Sequence, residues 1–262
     1  MTDPGDHLEA MRAAAPLVHC VTNFVAMTPA ANALLAAGAS PAMIHAPEEA
    51  GGFAGVAGAL TVNIGTLDAH WLTGMLAAAA GARASGRPWA LDPVAVFASP
   101  FRGEACARLL AEKPAAIRGN ASEIRALAGE EAGGRGVDAG DPVEAAEAAA
   151  RALAARTGAV VAATGETDFV TDGARSAQVA GGHPLMTRVT AMGCGLTAVL
   201  GAYLAAVADP FEATVAALAH FKLAGERAGA DAAGPGSFHP AFLDALAAID
   251  GPALAAGARV TA

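Results

Sequence analysis

A series of short apolar runs, each followed by a stretch of helical character, fills the first two-thirds of the chain. Leu17–Val21, Ala42–Ile44, Leu60–Gly65, Trp89–Asp92, Ala116–Arg118 and Ala159–Ala163 read as strands. Between them, Thr28 and Pro29 sit where a cap and a first-turn proline would start a helix, and Gly38 sits where it would end. Further helices are expected from Asp68 to Ala84, Arg102 to Leu110, Ala121 onward, and Glu144 to Arg156. Strands that alternate with helices need crossover connections, so they run parallel and their helices cover both faces of the sheet. The expectation is an α/β fold, a three-layer α/β/α sandwich on a mostly parallel central sheet, in one domain spanning 1–262. The texture then changes. Phe169–Gly173 and Ser176–Val179 predict a hairpin about Asp172-Gly173, and from Cys194 onward the chain reads as nearly all helical. Glu130–Gly140, Gly-rich and charged, reads as an exposed loop.

Composition removes several function classes. The chain holds 75 alanines among its 262 residues, yet larger apolar residues still make up about a quarter of it, too many for a disordered protein. Net charge is −9, and Lys113 and Lys222 are the only lysines. No basic cluster exists to follow a phosphate backbone, which argues against nucleic acid. Three cysteines without a CxxC argue against a disulfide scaffold or structural zinc. Val189–Ala208 carries no charge, but its glycines, threonines and alanines suit a buried helix better than a membrane span. Met1–Ala10 is acidic and lacks the apolar stretch of a signal peptide. A cytoplasmic protein with no membrane partner is expected.

Open parallel sheets bind ligands at the carboxyl ends of their strands. Polar residues collect there: Thr22-Asn23, His45, Asn63 with Gly65-Thr66, Asp92-Pro93, Arg118-Gly119-Asn120 and Thr164-Gly165-Glu166. Asn120 and Glu123 have capping-box spacing, and Asp92 and Glu123 on one edge could hold Mg2+. Asp92 could instead serve a plain turn. Arg118, ending a buried strand, needs an anion, either a ligand or an internal carboxylate. In Thr190–Thr197, small residues lead into an apolar helix whose first N–H groups suit a phosphate. Cys194 in that first turn is expected to have a lowered pKa; a glycine packing pair and an inert buried thiol are the alternatives. Gly193-x-Gly195-x-x-Ala198 follows a hairpin rather than a first strand, so it is no dinucleotide fingerprint. Neither lysine follows a glycine, so there is no Walker A sequence. His45 with Glu48 and Glu49 could be drawn as a metal cluster, but a loop near the pocket is the better reading.

Taken in order, Val21-Thr22-Asn23, Ala39–Met43 with His45–Glu49, Asn63–Leu67, Leu91–Val94, Ile117–Ile124, Thr164–Glu166, Gly182–Met186, Gly193-Cys194 and Gly234–Phe238 resemble the hydroxyethylthiazole kinase family of the ribokinase-like superfamily. The resemblance runs from Pro16 to Leu246. It implies a ribokinase-like fold and ATP- and Mg2+-dependent phosphorylation of the primary alcohol of 4-methyl-5-(2-hydroxyethyl)thiazole, for thiamine synthesis. It also implies a homotrimer with active sites at subunit interfaces. Met43, Asn23 and Ala191 would line the thiazole pocket, Arg118 and Thr164 would contact ATP, and Asp92 and Glu123 would serve metal and phosphates. Ala191 to Cys194 would form an anion hole, with Gly193 and Cys194 at the reacting hydroxyl. Related sugar and pyrimidine kinases carry an acidic base where Cys194 falls. Many family members have glycine where this chain has Ala191; alanine costs little there if its φ is negative. A hydroxymethylpyrimidine kinase, a nucleotide-dependent hydrate dehydratase and a non-catalytic nucleotide-binding relative remain as rivals.

Overall fold

The computed structural model describes residues 2–130 and 143–262. Its strands, in chain order, are β1 (Leu17–Val21), β2 (Ser40–Ala42), β3 (Ala59–Asn63), β4 (Trp89–Asp92), β5 (Ala116–Asn120), β6 (Val160–Thr164), β7 (Thr167–Thr171), β8 (Ser176–Ala180) and β9 (Arg259–Thr261). They form one sheet in the order β2-β1-β3-β4-β5-β6-β7-β8-β9. Pairing is parallel from β2 to β6 and antiparallel from β6 to β9. The helices are α1 (Pro4–Ala14), α2 (Met27–Ala37), α3 (Pro47–Val56), α4 (Ala69–Ala84), α5 (Pro100–Leu110), α6 (Ala121–Ala128), α7 (Glu147–Thr157), α8 (Met192–Ala206), α9 (Pro210–Asp231), α10 (Pro235–Ala248) and α11 (Gly251–Gly257).

The two-residue period of the strands sorts side chains into two cores. Val18 and Cys20 of β1, Ala90 of β4 and Ala162 of β6 face α1, α2 and α8 to α11. Val21, Leu60, Val62, Leu91, Ile117 and Val161 face α3 to α7. Parallel strands buried on both faces explain why the sequence shows continuous apolar runs rather than alternation. α8 is the uncharged segment, and it lies on the sheet: a Cβ on Gly201 would come within 2.6 Å of Thr61 Cγ2 and 2.9 Å of Val18 Cγ1. Only glycine lets that helix approach so closely. No helix among the described residues is long and apolar enough to cross a membrane.

Several local expectations need correction. α2 begins at Met27, so Thr28 lies inside its first turn, and no side chain caps it. Asn23 takes over that end, with Oδ1 accepting from the Val25 and Ala26 N–H groups. β2 covers Ser40–Ala42, which leaves Met43 and Ile44 beyond the strand. Of the three residues expected in a loop, His45 lies in one, whereas Glu48 and Glu49 fall in the first turn of α3, which opens on Pro47. Residues 143–146 form a 3-10 turn, and α7 starts only at Glu147. From Cys194 onward the chain is nearly all helical as expected, α8 to α11 being followed only by the three-residue β9, which pairs with β8. The expected loop 130–140 lies outside the described residues from 131 onward. The Asp172-Gly173 turn is present, with Asp172 Oδ1 accepting from Ala174 and Arg175 N–H.

Candidate active site

The carboxyl ends of β1, β3, β4, β5 and β6 converge on the N-terminus of α8. A continuous polar chain links them. Asn23, just after β1, donates from Nδ2 to Asn63 Oδ1 at 2.7 Å and to Cys194 Sγ at 3.5 Å. Asn63, ending β3, donates to Asp92 Oδ2 at 2.7 Å, and Thr197 of α8 donates to the same oxygen at 2.8 Å. Arg118 Nη1 lies 3.6 Å from that oxygen, while its Nη2 donates to Thr164 Oγ1 at 2.6 Å. The Thr164 hydroxyl donates in turn to Gly119 O at 3.2 Å. Adjacent parallel strands in register bring these residues together: Asn63 pairs with Asp92, and Asn120 with Thr164.

Asp92 is fully buried, and its Oδ1 has no hydrogen-bond partner among the described residues. Burial raises its pKa, opposed chiefly by the Arg118 charge and by hydrogen bonds from Thr197 and Asn63. The capping box is present: Asn120 Oδ1 accepts from Glu123 N–H, and Glu123 Oε2 accepts from Asn120 N–H. Glu123 Oε1 also accepts from Ala95 N–H at 2.9 Å. Burial first, and the Asp92 charge second, push the Glu123 carboxyl up to about 7 despite those backbone donors. Two buried carboxylates thus share one strand edge with the Arg118 guanidinium. Such a pair gains from a cation.

The α8 N-terminus completes the edge. Ala191 is its N-cap, and no side chain caps the first turn, so those N–H groups stay available to an anion. Ala191 adopts φ 63°, ψ 13°. The condition under which alanine would cost little is therefore not met: this is a left-handed position that glycine fills without penalty. Gly193 has a different reason to be glycine. A Cβ there would lie 2.6 Å from Arg118 Nη1 and 2.9 Å from Nη2. The guanidinium rests against the helix backbone in the space a side chain would take.

Cys194 reverses an expectation. Burial, then the Asp92 charge, push its thiol up to about 11. Hydrogen bonding from Asn23 and the Arg118 charge oppose this only in part, so Cys194 is a protonated thiol near neutral pH.

Met43 is half-buried beyond β2, packed against the core that α1, α2 and α8 to α11 share, and its side chain is no member of this hydrogen-bonded chain. His45 is held in a side layer: its Nε2 accepts from Thr22 N–H at 3.3 Å, and its ring lies 4.4 Å from Trp71. It makes no metal cluster with Glu48 and Glu49, and among the described residues no group of three or more potential ligands exists. Asn63 and Thr197 are members that the sequence reading did not assign to the site. Asn63 was visible as a polar strand end. Thr197 offered only its place one turn beyond Gly193, on an otherwise apolar helix.

Comparison with known proteins gives a consistent picture. The family model described as "Hydroxyethylthiazole kinase family" matches residues 8–251. A hydroxyethylthiazole kinase of Rhizobium etli is 65% identical over 255 residues, 97% of this chain and 99% of its own. One from Cereibacter sphaeroides is 63% identical over 98% of both chains. Among solved structures, the hydroxyethylthiazole kinase protein of Pyrococcus horikoshii superposes with a TM-score of 0.91 at 40% identity, covering 98% of each chain. The pyridoxal kinase of Staphylococcus aureus, solved with AMP-PCP and pyridoxal, has a TM-score of 0.65 at 16% identity over 94% of this chain and 97% of that one, a likeness of fold alone.

Proposed function

The chain belongs to the hydroxyethylthiazole kinase family, and on that premise we propose that its strand-end edge transfers phosphate from ATP to the primary alcohol of 4-methyl-5-(2-hydroxyethyl)thiazole. The protein is a phosphotransferase on a ribokinase-like fold. The observation that carries the site assignment is the uncapped N-terminus of α8, facing Arg118 and two buried carboxylates.

Phosphoryl transfer is mainly a matter of positioning and charge stabilisation. Arg118 and Thr164 bind the nucleotide phosphates. The first-turn N–H groups of α8, from Met192 to Cys194, receive the γ-phosphoryl oxygens as charge develops on them. The unpartnered Asp92 Oδ1 and the raised Glu123 carboxyl fit a divalent cation. Asp92 and Glu123 would hold Mg2+, which when bound offsets phosphate charge. Asn23, Met43 and Ala191 line the thiazole side, with Asn23 also fixing the Cys194 thiol. A protonated Cys194 cannot accept the alcohol's proton at the outset. With a loose transition state the proton leaves late, so Cys194 lines the anion hole rather than acting as a base.

A homotrimer is part of the same reading. Phe24 and Val25 follow Asn23 directly and are 58% and 55% exposed, and Phe24 packs 4.5 Å from Trp71. An apolar step of this kind beside the site suits cover by a second subunit.

The test is product formation by purified protein with ATP, Mg2+ and either hydroxyethylthiazole or hydroxymethylpyrimidine. Thiazole phosphate as the preferred product is expected. Preference for the pyrimidine, or nucleotide binding with no phosphorylated product, would refute the assignment.

A further inference from the structure

Lys222 is one of two lysines in the chain, and it is 6% exposed on α9. It lies outside the polar chain described above, yet its ammonium reaches the end of β6. Nζ donates to Gly165 O at 2.7 Å and to Glu166 O at 2.6 Å, and it lies 3.1 Å from Asp168 Oδ1. The three donors of the ammonium thus meet three acceptors. Asp168, buried on β7, also accepts from Gly165 N–H at 2.9 Å. Residues 165–166 form the tight connection between β6 and β7, where the backbone leaves the sheet ladder and its polar groups need other partners. Lys222 and Asp168 supply them, gripping the turn by one N–H and both carbonyls.

An apolar pair could fill this space at lower desolvation cost, so a buried ion pair points to a demand for fixed geometry. That geometry is found one residue back along the chain. Thr164 immediately precedes the turn, and its hydroxyl receives Arg118 Nη2 at 2.6 Å. The α9 surface beyond Lys222 is built for close approach. A Cβ on Gly225 would collide with Met186 Sδ, and one on Gly229 with the His183 ring. Lys222, Gly225 and Gly229 share one face of α9 at helical spacing. That face seats the segment following β8 as well as the turn following β6.

We propose that Lys222 is a positioning residue for the nucleotide: held by Asp168, it fixes the 165–166 turn and thereby the Thr164 hydroxyl against the Arg118 guanidinium. The inference rests on the assignment of Arg118 and Thr164 to ATP. It predicts that loosening the turn weakens use of ATP and leaves the thiazole side alone.

The experiment compares steady-state kinetics and melting temperature for Lys222→Met, Asp168→Asn, the double variant and Arg118→Ala. The double variant removes the unpaired buried charge that Lys222→Met leaves behind, so it is the folded form in which the lost grip is read. KM for ATP should rise about tenfold or more in the double variant, with KM for hydroxyethylthiazole within about twofold of the parent, as expected for misplacement of one binding group. A smaller rise in the same direction is expected for Asp168→Asn, which keeps an oxygen for Gly165 N–H. Parent KM values for ATP in folded double and Asp168→Asn variants, beside a raised value in Arg118→Ala, would overturn the role of Lys222. If the double variant does not fold, Asp168→Asn decides on the same criterion. An unchanged KM for ATP in Arg118→Ala would instead contradict the nucleotide edge itself.

Discussion

At Cys194, packing and electrostatics decide a question of chemistry. A thiol pushed up to about 11 is not an ionised nucleophile or base, so replacing it with another neutral hydrogen-bonding group should be tolerated. Cys194→Ser is expected to fold normally and lose roughly tenfold in kcat. Near-complete loss, with an unchanged melting temperature, would restore a reactive role for the thiol. Asp92 and Glu123 lead to a second prediction. Both have pKa values raised by burial, so the stability they contribute is full below the ordinary carboxylate range and is lost as pH rises through about 7 for Glu123. Without metal, the melting temperature should fall between about pH 5 and about pH 8 from this pair, and Mg2+ should recover more of it at the upper end. Thermal scans with and without Mg2+ check this, with Glu123→Gln as the comparison. A Mg2+ effect of equal size at both pH values and in both proteins would remove these carboxylates from the metal site.

The start of α8 carries two small residues for two different reasons. Ala191 holds φ 63°, a conformation costing an L-residue about 1–2 kcal/mol, against about 0.5–1 kcal/mol for the extra chain entropy of glycine. Ala191→Gly should therefore stabilise by about 0.5–1 kcal/mol, read as an upward shift in melting temperature. Destabilisation would mean that the methyl group is needed for packing. Gly193→Ala should act differently. Its methyl group would take the space of the Arg118 guanidinium, the flexible end of a side chain. The expected result is a folded protein with a large loss in kcat/KM, and parent kinetics would show that Arg118 needs no seat on this helix. Much at this scale was legible in the sequence. The strand end at Asp92, the Asn120–Glu123 capping box and the hairpin at Asp172 follow from local pattern and turn chemistry, whereas β3 ends at Asn63, two residues before the expected Gly65. What was not legible depends on tertiary contact. α3 carries glycines where α4 packs closely, a Cβ on Gly51 lying 3.1 Å from Ala77 O, and a glycine-rich segment of this kind gives no helix signal in sequence. β9 is three residues long and exists only because β8 offers it an edge. Thr197 and Lys222 enter their clusters from helices far along the chain, where spacing carries no signal.

At the scale of the whole molecule, an ordered set of strand-end residues found in sequence becomes one edge because the β5–β6 pairing is parallel and in register and because α8 lies flat on the sheet. The alanine-rich composition serves that close packing. It also leaves the apolar step at Phe24 and Val25 beside the site. Light scattering at assay concentrations is expected to give the mass of a trimer, and Phe24→Asp should dissociate it and lower activity together. A fully active monomer would exclude a shared site. The central claim is that the buried carboxylates at this edge act on phosphoryl transfer rather than only capping α6. Glu123→Gln tests it most directly, because the amide oxygen can still accept from Asn120 N–H at the cap, while the charge and the bond from Ala95 N–H are lost. The account predicts a folded protein whose melting temperature changes little, because the lost Ala95 bond and the relieved burial of charge act in opposite directions, and a kcat lower by on the order of 10²-fold with ATP, Mg2+ and hydroxyethylthiazole; a near-parent kcat would contradict it and leave Glu123 a helix cap.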